Sequence, residues 1–147
     1  VYLVIRATSA MLALVLLVTT AEAQRIEGRL VHVRDADTIE IASSRGRIAV
    51  RLNGVDSPEL KELGGRAGKE WVERTYRGKM MSCVLNGQRS YDRWVGICHD
   101  PNGNDIGAAI IAAGHGRDCP RYSGGRYRKF ETKKSRDIPL KPYCRAR

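Results

Sequence analysis

No two of the four cysteines share a C-x-x-C spacing, no segment repeats another, and no stretch is of low complexity. The first absence argues against zinc, and the other two point to one globular unit rather than an array. A membrane-length apolar run is also missing. The single uncharged run, Met11 to Val18, is shorter than the roughly 20 residues a spanning helix needs. Acidic residues are scarce beside basic ones, at 16 Asp and Glu against 26 Lys and Arg, a net +10. A field of that sign attracts polyanions such as nucleic acid, anionic polysaccharide or anionic lipid.

The short apolar run follows Arg6 and ends in "AEA" before Gln24, with small residues at Ala21 and Ala23. That pattern is expected for a signal peptide over residues 1–23 and an exported product, secreted or periplasmic. The remainder is long enough to bury one core. Its positive charge is not evenly spread: residues 117–147 hold 11 Lys and Arg against 3 Asp and Glu. A domain over 24–134 and a basic tail over 135–147 are therefore expected. In an oxidising compartment Cys83, Cys98, Cys119 and Cys144 suit disulfides, for which three pairings exist. Cys83 and Cys98 flank an expected hairpin, which favours that pair and leaves Cys119 with Cys144.

"RLVHVR" (29–34), "TIEIA" (38–42) and "RIAVRL" (47–52) are alternating or β-branched, and "DAD" and "SSRG" separate them as turns. In the third, Ile48, Val50 and Leu52 share a face, which puts Arg47, Ala49 and Arg51 on the other. "LGGRAGKEWVERTY" places Leu63, Ala67 and Trp71 at helical spacing. "MMSCVL" and "YDRWVGIC" follow as two strands, with Asn86-Gly87 as the expected turn. "DIGAAIIAAG" predicts a short helix capped by Asp105 and stopped by Gly114, and a third helix is expected in "SGGRYRKFETKK", docked by Tyr127 and Phe130. The order is mainly β with α (α+β). It suggests an OB-fold, a partly open five-stranded Greek-key barrel with about three helices.

Asp35 and Asp37 lie two apart at a turn, where aspartates are common for local hydrogen bonding alone. "GVDSPE" adds Asp56, and Pro58 holds Ser57 extended. Two turns that offer carboxylates without His or Cys suit a hard cation bound through oxygen, calcium more than magnesium. Arg51 leaves the polar face of the strand entering this loop, and Arg93 comes from the later hairpin. A surface arginine is usually only a solvated charge, but two guanidinium forks beside a cation match a phosphate.

"RDADT", "RLNGVDSPE" and "YDRWVG", in that order and at those separations, resemble the staphylococcal nuclease (thermonuclease) family over residues 29 to about 134. The resemblance implies that Asp37, Asp56 and the Ser57 carbonyl bind Ca2+, with Asp35 close by. It implies that Glu59 positions or deprotonates the attacking water, and that Arg51 and Arg93 hold the scissile phosphate. Tyr91 and Tyr122 match nucleotide-contacting positions, although packing of the tail accounts for Tyr122 equally well; a further tyrosine of the family falls on Pro120. His32, His99 and His115 match no catalytic position. The implied activity is hydrolysis of DNA and RNA by a monomer, single-stranded or frayed substrate preferred. It leaves 5′-hydroxyl and 3′-phosphate ends, with little sequence preference because no element suits major-groove reading.

The chain departs from the family at Asp92, which replaces a glycine and is expected to pair with Arg93, and at "LKELGG", where a longer basic loop is usual. These departures keep a second function open, a non-catalytic OB module that binds nucleic acid. A third, more distant one is a surface protein whose basic tail adheres to anionic polymers.

Overall fold

The computed structural model describes residues 23–146; the expected signal peptide lies almost wholly outside them. Five strands close into a barrel: β1 (Gln24–Asp35), β2 (Thr38–Ser43), β3 (Gly46–Leu52), β5 (Met80–Ser90) and β6 (Arg93–His99), in the spatial order β1-β2-β3-β6-β5. Neighbours are antiparallel except β3 and β6, which are parallel. This is an OB-type barrel within an α+β domain. It is closed rather than partly open, because β1 runs on for 12 residues and pairs with both β2 and β5. Inward residues of alternate positions, including Leu30, Val33, Ile39, Ile41, Val50 and Leu85, fill the interior. A two-stranded ribbon, β4 (Val55–Asp56) with β7 (Arg117–Asp118), sits outside the barrel.

Three expectations are corrected. Helix α1 spans Gly65–Tyr76, and its buried face is Gly65, Gly68, Val72 and Tyr76; Leu63 lies before it and is 100% exposed, and Ala67 is exposed too. The glycine face wins because it permits close approach: a Cβ on Gly65 would fall 1.9 Å from the Glu59 carbonyl oxygen. Asn86-Gly87 does not turn the hairpin. It lies in a bulge between Leu85 and Arg89, and the chain reverses at Tyr91-Asp92. No helix runs through 123–134 either. Gly124 and Gly125 both have positive φ, and they separate α3 (Pro120–Ser123) from a single 3-10 turn (Arg128–Phe130) and α4 (Lys133–Arg136). Tyr127 does dock, buried with its hydroxyl donating to Asp105 at 2.8 Å, whereas Phe130 stays at the surface, 36% exposed. Helix α2 (Ile106–Ala112) is capped by the Asp105 carboxylate, which accepts from the N–H groups of Gly107 and Ala108.

Cys83 is joined to Cys98 across β5 and β6, and Cys119 to Cys144. Residues 135–146 are not free of the domain. Ser135 is fully buried and donates to the Ile111 carbonyl, and Cys144 is buried in a final 3-10 turn, Pro142–Cys144. The chain from Ile138 to Cys144 thus forms a strap against the β4–β7 ribbon and the loop before α1.

Candidate active site

Backbone pairing brings the charged residues together. Thr38 pairs with Arg51 across β2 and β3, and the Leu52 N–H donates to the Asp37 carbonyl at 2.8 Å, so the first turn is pinned to the end of β3. The parallel register sets Val50 against Trp94 and Arg51 against Val95, which brings in Arg93 at the start of β6. Gly54 then turns the chain into β4 with φ +78, and a Cβ there would fall 2.6 Å from that of Ser123, so α3 packs directly on this turn. These elements line a cleft of about 490 Å³ whose walls include Asp37, Arg51, Glu59, Tyr91, Arg93 and Tyr122. A larger, more apolar cleft of about 650 Å³ lies between the start of α1 and the strap, and it holds neither arginine and neither buried aspartate.

Asp37 is buried. One carboxylate oxygen accepts from the Ser57 N–H at 2.9 Å and lies 3.1 Å from Arg51 Nη2, and the other accepts from the Thr38 hydroxyl at 3.2 Å. Burial pushes its pKa up to about 7, because the nearby Arg51 charge only partly offsets desolvation and Asp35 adds a like charge. Asp35 itself accepts from the Asp37 N–H at 3.1 Å. Asp56 is also buried. Its Oδ1 accepts from the Tyr143 hydroxyl at 2.6 Å, while its Oδ2 and the Ser57 hydroxyl are buried without a partner.

Arg51 Nη1 donates to the carbonyls of Leu52 and Val55 at 2.8 and 2.7 Å, which fixes the guanidinium at the β3–β4 turn. Arg93 is held by Ser90 through its carbonyl and hydroxyl, at 3.1 and 2.9 Å, and by the Thr38 hydroxyl at 3.0 Å. The expected Asp92–Arg93 pair does not form. Asp92 instead meets Arg34 at 2.7 Å, and that hydrogen-bonded guanidinium holds the Asp92 carboxyl below the usual range. Arg34 also binds Glu40, so a lattice of charges behind the hairpin keeps Asp92 away from the cleft. The left-handed position in the turn is Tyr91, at φ 58, rather than Asp92. Tyr91 is 92% exposed and Tyr122 about half exposed; the Arg93 and Arg121 guanidinium carbons each lie 5.7 Å from the respective ring centroid, which leaves the opposite face of each ring for stacking.

Glu59 stands in the loop before α1, with its side chain 66% exposed. Its N–H donates to Glu62 at 2.7 Å. Two residues that the sequence motifs do not flag complete the site from the strap. Lys141 Nζ lies 3.4 Å from the Ser57 carbonyl and from Glu62, 3.7 Å from Glu59 and 3.8 Å from Asp56. Burial lowers the ammonium pKa, but Asp56, Glu62 and Glu59 more than offset it, leaving it above the ordinary lysine value. Tyr143, beside Cys144, enters the cleft opposite Tyr122; burial and the Asp56 carboxylate push its hydroxyl pKa up, so it remains a donor. The only sequence clue to either was the Cys119–Cys144 pairing, which draws Tyr143 toward the segment that carries Tyr122.

Among the described residues no three His, Cys, Asp or Glu side chains form a metal cage. The donor set nevertheless fits one hard cation with a partly hydrated shell, because it is all oxygen and includes an orphaned carboxylate oxygen on Asp56. Asp37, Asp56 and the Ser57 carbonyl are the residues that would hold it.

No family model matches the chain. It is 33% identical over 89 residues to an uncharacterized endonuclease of Escherichia coli O157:H7, a match covering 60% of this chain and 58% of that protein. It is 32% identical over 90 residues to a micrococcal nuclease of Shigella flexneri, covering 60% and 51%. It is 34% identical over 134 residues to the succinoglycan biosynthesis protein ExoI of Rhizobium meliloti (strain 1021), covering 83% and 68%. The chain thus spans little more than half the length of the endonuclease and nuclease relatives.

Proposed function

Because the chain belongs to the staphylococcal nuclease-like family, we propose that it is an exported, calcium-dependent nuclease that hydrolyses the phosphodiester bonds of DNA and RNA with low sequence specificity. One observation carries this reading: the cleft brings buried Asp37, two anchored arginines and an exposed glutamate to one opening, with buried Asp56 just behind its wall, bonded to the lining residue Tyr143. A phosphodiester resists hydrolysis because its own negative charge repels a nucleophile, so fixed positive charge must meet the oxygens on which charge develops. Arg51 and Arg93 supply it. Both are already held by protein partners on some of their N–H groups, which limits the reorganisation needed when phosphate arrives. Glu59 orients a water and takes its proton as the water oxygen bonds to phosphorus and the bond to the 5′ oxygen breaks; the 5′ oxygen takes a proton from solvent water as it leaves. A bound Ca2+ supplies Lewis-acid polarisation of the phosphoryl oxygen. Tyr91 and Tyr122 offer stacking faces to flanking bases, which favours single-stranded or frayed substrate. The two disulfides support an oxidising, extracellular or periplasmic compartment, and nothing in the mechanism calls for more than a monomer.

A non-catalytic OB module remains the competing function, and one observation favours it. The Lys141 ammonium lies among oxygens of the cation site, where it partly neutralises them. The two are separated by incubating the protein with heat-denatured DNA in calcium, in magnesium and in excess EGTA, and following release of acid-soluble nucleotides. Cleavage in calcium that EGTA abolishes is expected. Binding to the DNA with no cleavage in either metal overturns the enzyme in favour of the module.

A further inference from the structure

Among the described residues Tyr143 is the one side-chain hydroxyl that holds Asp56. It belongs to the strap and reaches Asp56 across 87 positions of sequence. Its hydroxyl donates to Asp56 Oδ1 at 2.6 Å, while Oδ2 of the same carboxylate is buried and has no partner. The ring is held in place from the main chain. Cys144, the next residue, is fully buried and bonded to Cys119, whose N–H donates to the Gly54 carbonyl at 2.9 Å in the turn that leads into β4. Pro142 opens the 3-10 turn, and the Cys144 N–H closes it on the Lys141 carbonyl at 2.9 Å. The disulfide therefore ties the tyrosine to the turn just ahead of Asp56.

The terminal torsion of an aspartate is soft and two-fold, so a carboxylate without a fixed partner presents either oxygen. A donor held from elsewhere in the fold removes that freedom. We propose that Tyr143 is a positioning residue for the cation site: by holding Oδ1 it fixes the Asp56 carboxylate and leaves Oδ2 as the oxygen that takes the cation. The role rests on Asp56 being a cation ligand. Partners of this kind, one step out from a ligand, change metal affinity by about 10- to 100-fold when removed. The two strap residues act in opposite senses, since Lys141 opposes a cation by charge while Tyr143 organises its ligand.

The test is calorimetric titration of the purified protein with calcium at pH 8, comparing wild type, Tyr143→Phe and Tyr122→Phe. Tyr143→Phe is expected to bind calcium about tenfold more weakly, and its melting temperature in EGTA to fall measurably because Asp56 Oδ1 is left buried without its donor; Tyr122→Phe, in the same cleft, binds as wild type does. A purely packing role is separated by repeating the EGTA melt in an Asp56→Asn background. If the tyrosine acts through Asp56, its loss has a smaller effect there than in wild type. Calcium affinity within twofold of wild type or tighter in Tyr143→Phe, no calcium binding by wild type, or an equal melting shift in both backgrounds overturns the proposal. Cleavage by the wild type with and without EGTA is scored separately. A protein that cuts in calcium but whose affinity ignores Tyr143 keeps its function and loses only this residue's role.

Discussion

Replacing Glu59 by glutamine separates chemistry from architecture because of where the side chain sits. It is 66% exposed, and its ion pair is with Lys141 at 3.7 Å. An exposed pair of that kind is worth about 0 to 1 kcal/mol, and the contacts holding the loop come from backbone, the Glu59 N–H to Glu62 and the Glu62 N–H to the Glu59 carbonyl. Glutamine preserves both, so the urea midpoint in EGTA should shift by no more than such a pair allows. The chemical effect should be far larger. A positioned general base contributes about 10²- to 10⁴-fold, equivalent to roughly 3 to 5 kcal/mol of barrier. The loss should fall on kcat, since removing a negative charge beside a polyanion does not weaken its binding. Turnover is read from acid-soluble release on single-stranded DNA in saturating calcium, and affinity from fluorescence anisotropy in EGTA. A kcat within threefold of wild type, with folding intact, would refute the assignment of Glu59 as the base.

Four further outcomes are expected. Asp37 must lose a proton to bind a cation, so calcium affinity should fall by about tenfold per unit as pH drops below about 7 and level off above it; an affinity that is flat from pH 8 to pH 6 removes Asp37 as a ligand. In the metal-free protein the same group acts on stability. Between its ordinary pKa near 4 and about 7 the folded state binds the proton more tightly than the unfolded one, so the difference between wild type and Asp37→Asn should grow against wild type as pH rises through that window and then level off. Lys141 Nζ stands 3.8 Å from Asp56 Oδ1, and a unit charge about 4 Å from a divalent ion in a water-like medium is worth about 2 kcal/mol, so Lys141→Met should tighten calcium binding by up to about 30-fold; unchanged or weaker binding refutes the opposition. Cys119→Ser with Cys144→Ser opens a loop with a sequence separation of 25, which chain entropy values at about 3.5 kcal/mol. Urea unfolding checks the loss, and one below 1 kcal/mol means that the strap detaches before the domain unfolds.

What was legible in the sequence was the part of the site fixed by local pattern. Alternation located β1, β2 and β3, and once β3 is in register its polar face must release Arg51 where β4 delivers Asp56. The β5–β6 hairpin was misread because Asn86-Gly87 is a strong turn dipeptide in isolation, yet the ladder continues past it. Ser90 pairs with Arg93, and Trp94 pairs with Arg89 while lying 4.3 Å under the Arg89 guanidinium. Those tertiary contacts outweigh the local preference and force the positive φ onto Tyr91. Helix α1 was misphased for a related reason. Periodicity records which residues are apolar, but Gly65 and Gly68 are buried because the Glu59 backbone and the Ala36 and His115 side chains, respectively, need their space. Lys141 and Tyr143 carry no local pattern at all. Tyr143 reaches the cleft, and Lys141 the carboxylates beside it, through a covalent link and hydrogen bonds between positions far apart in sequence, so composition showed a basic tail where the structure has a folded strap.

That strap resolves a conflict built into any site of this type. The carboxylates that retain a cation also repel a polyanion, and the loop that commonly carries basic residues is reduced here to "LKELGG". Most of the excess positive charge lies instead in residues 117–147, and the disulfide folds the end of that segment against Asp56, Ser57 and Glu59. Positive charge so close favours the phosphate chain and disfavours the cation at the same time. Phosphate bound beside Lys141 offsets that ammonium and so relieves its opposition to the cation. By linkage the cation must strengthen nucleic-acid binding by the same factor. On the proposed function the strap would therefore make a cation bound without substrate less favourable than a cation bound with it, a property that a basic loop lying farther from the carboxylates would provide less strongly.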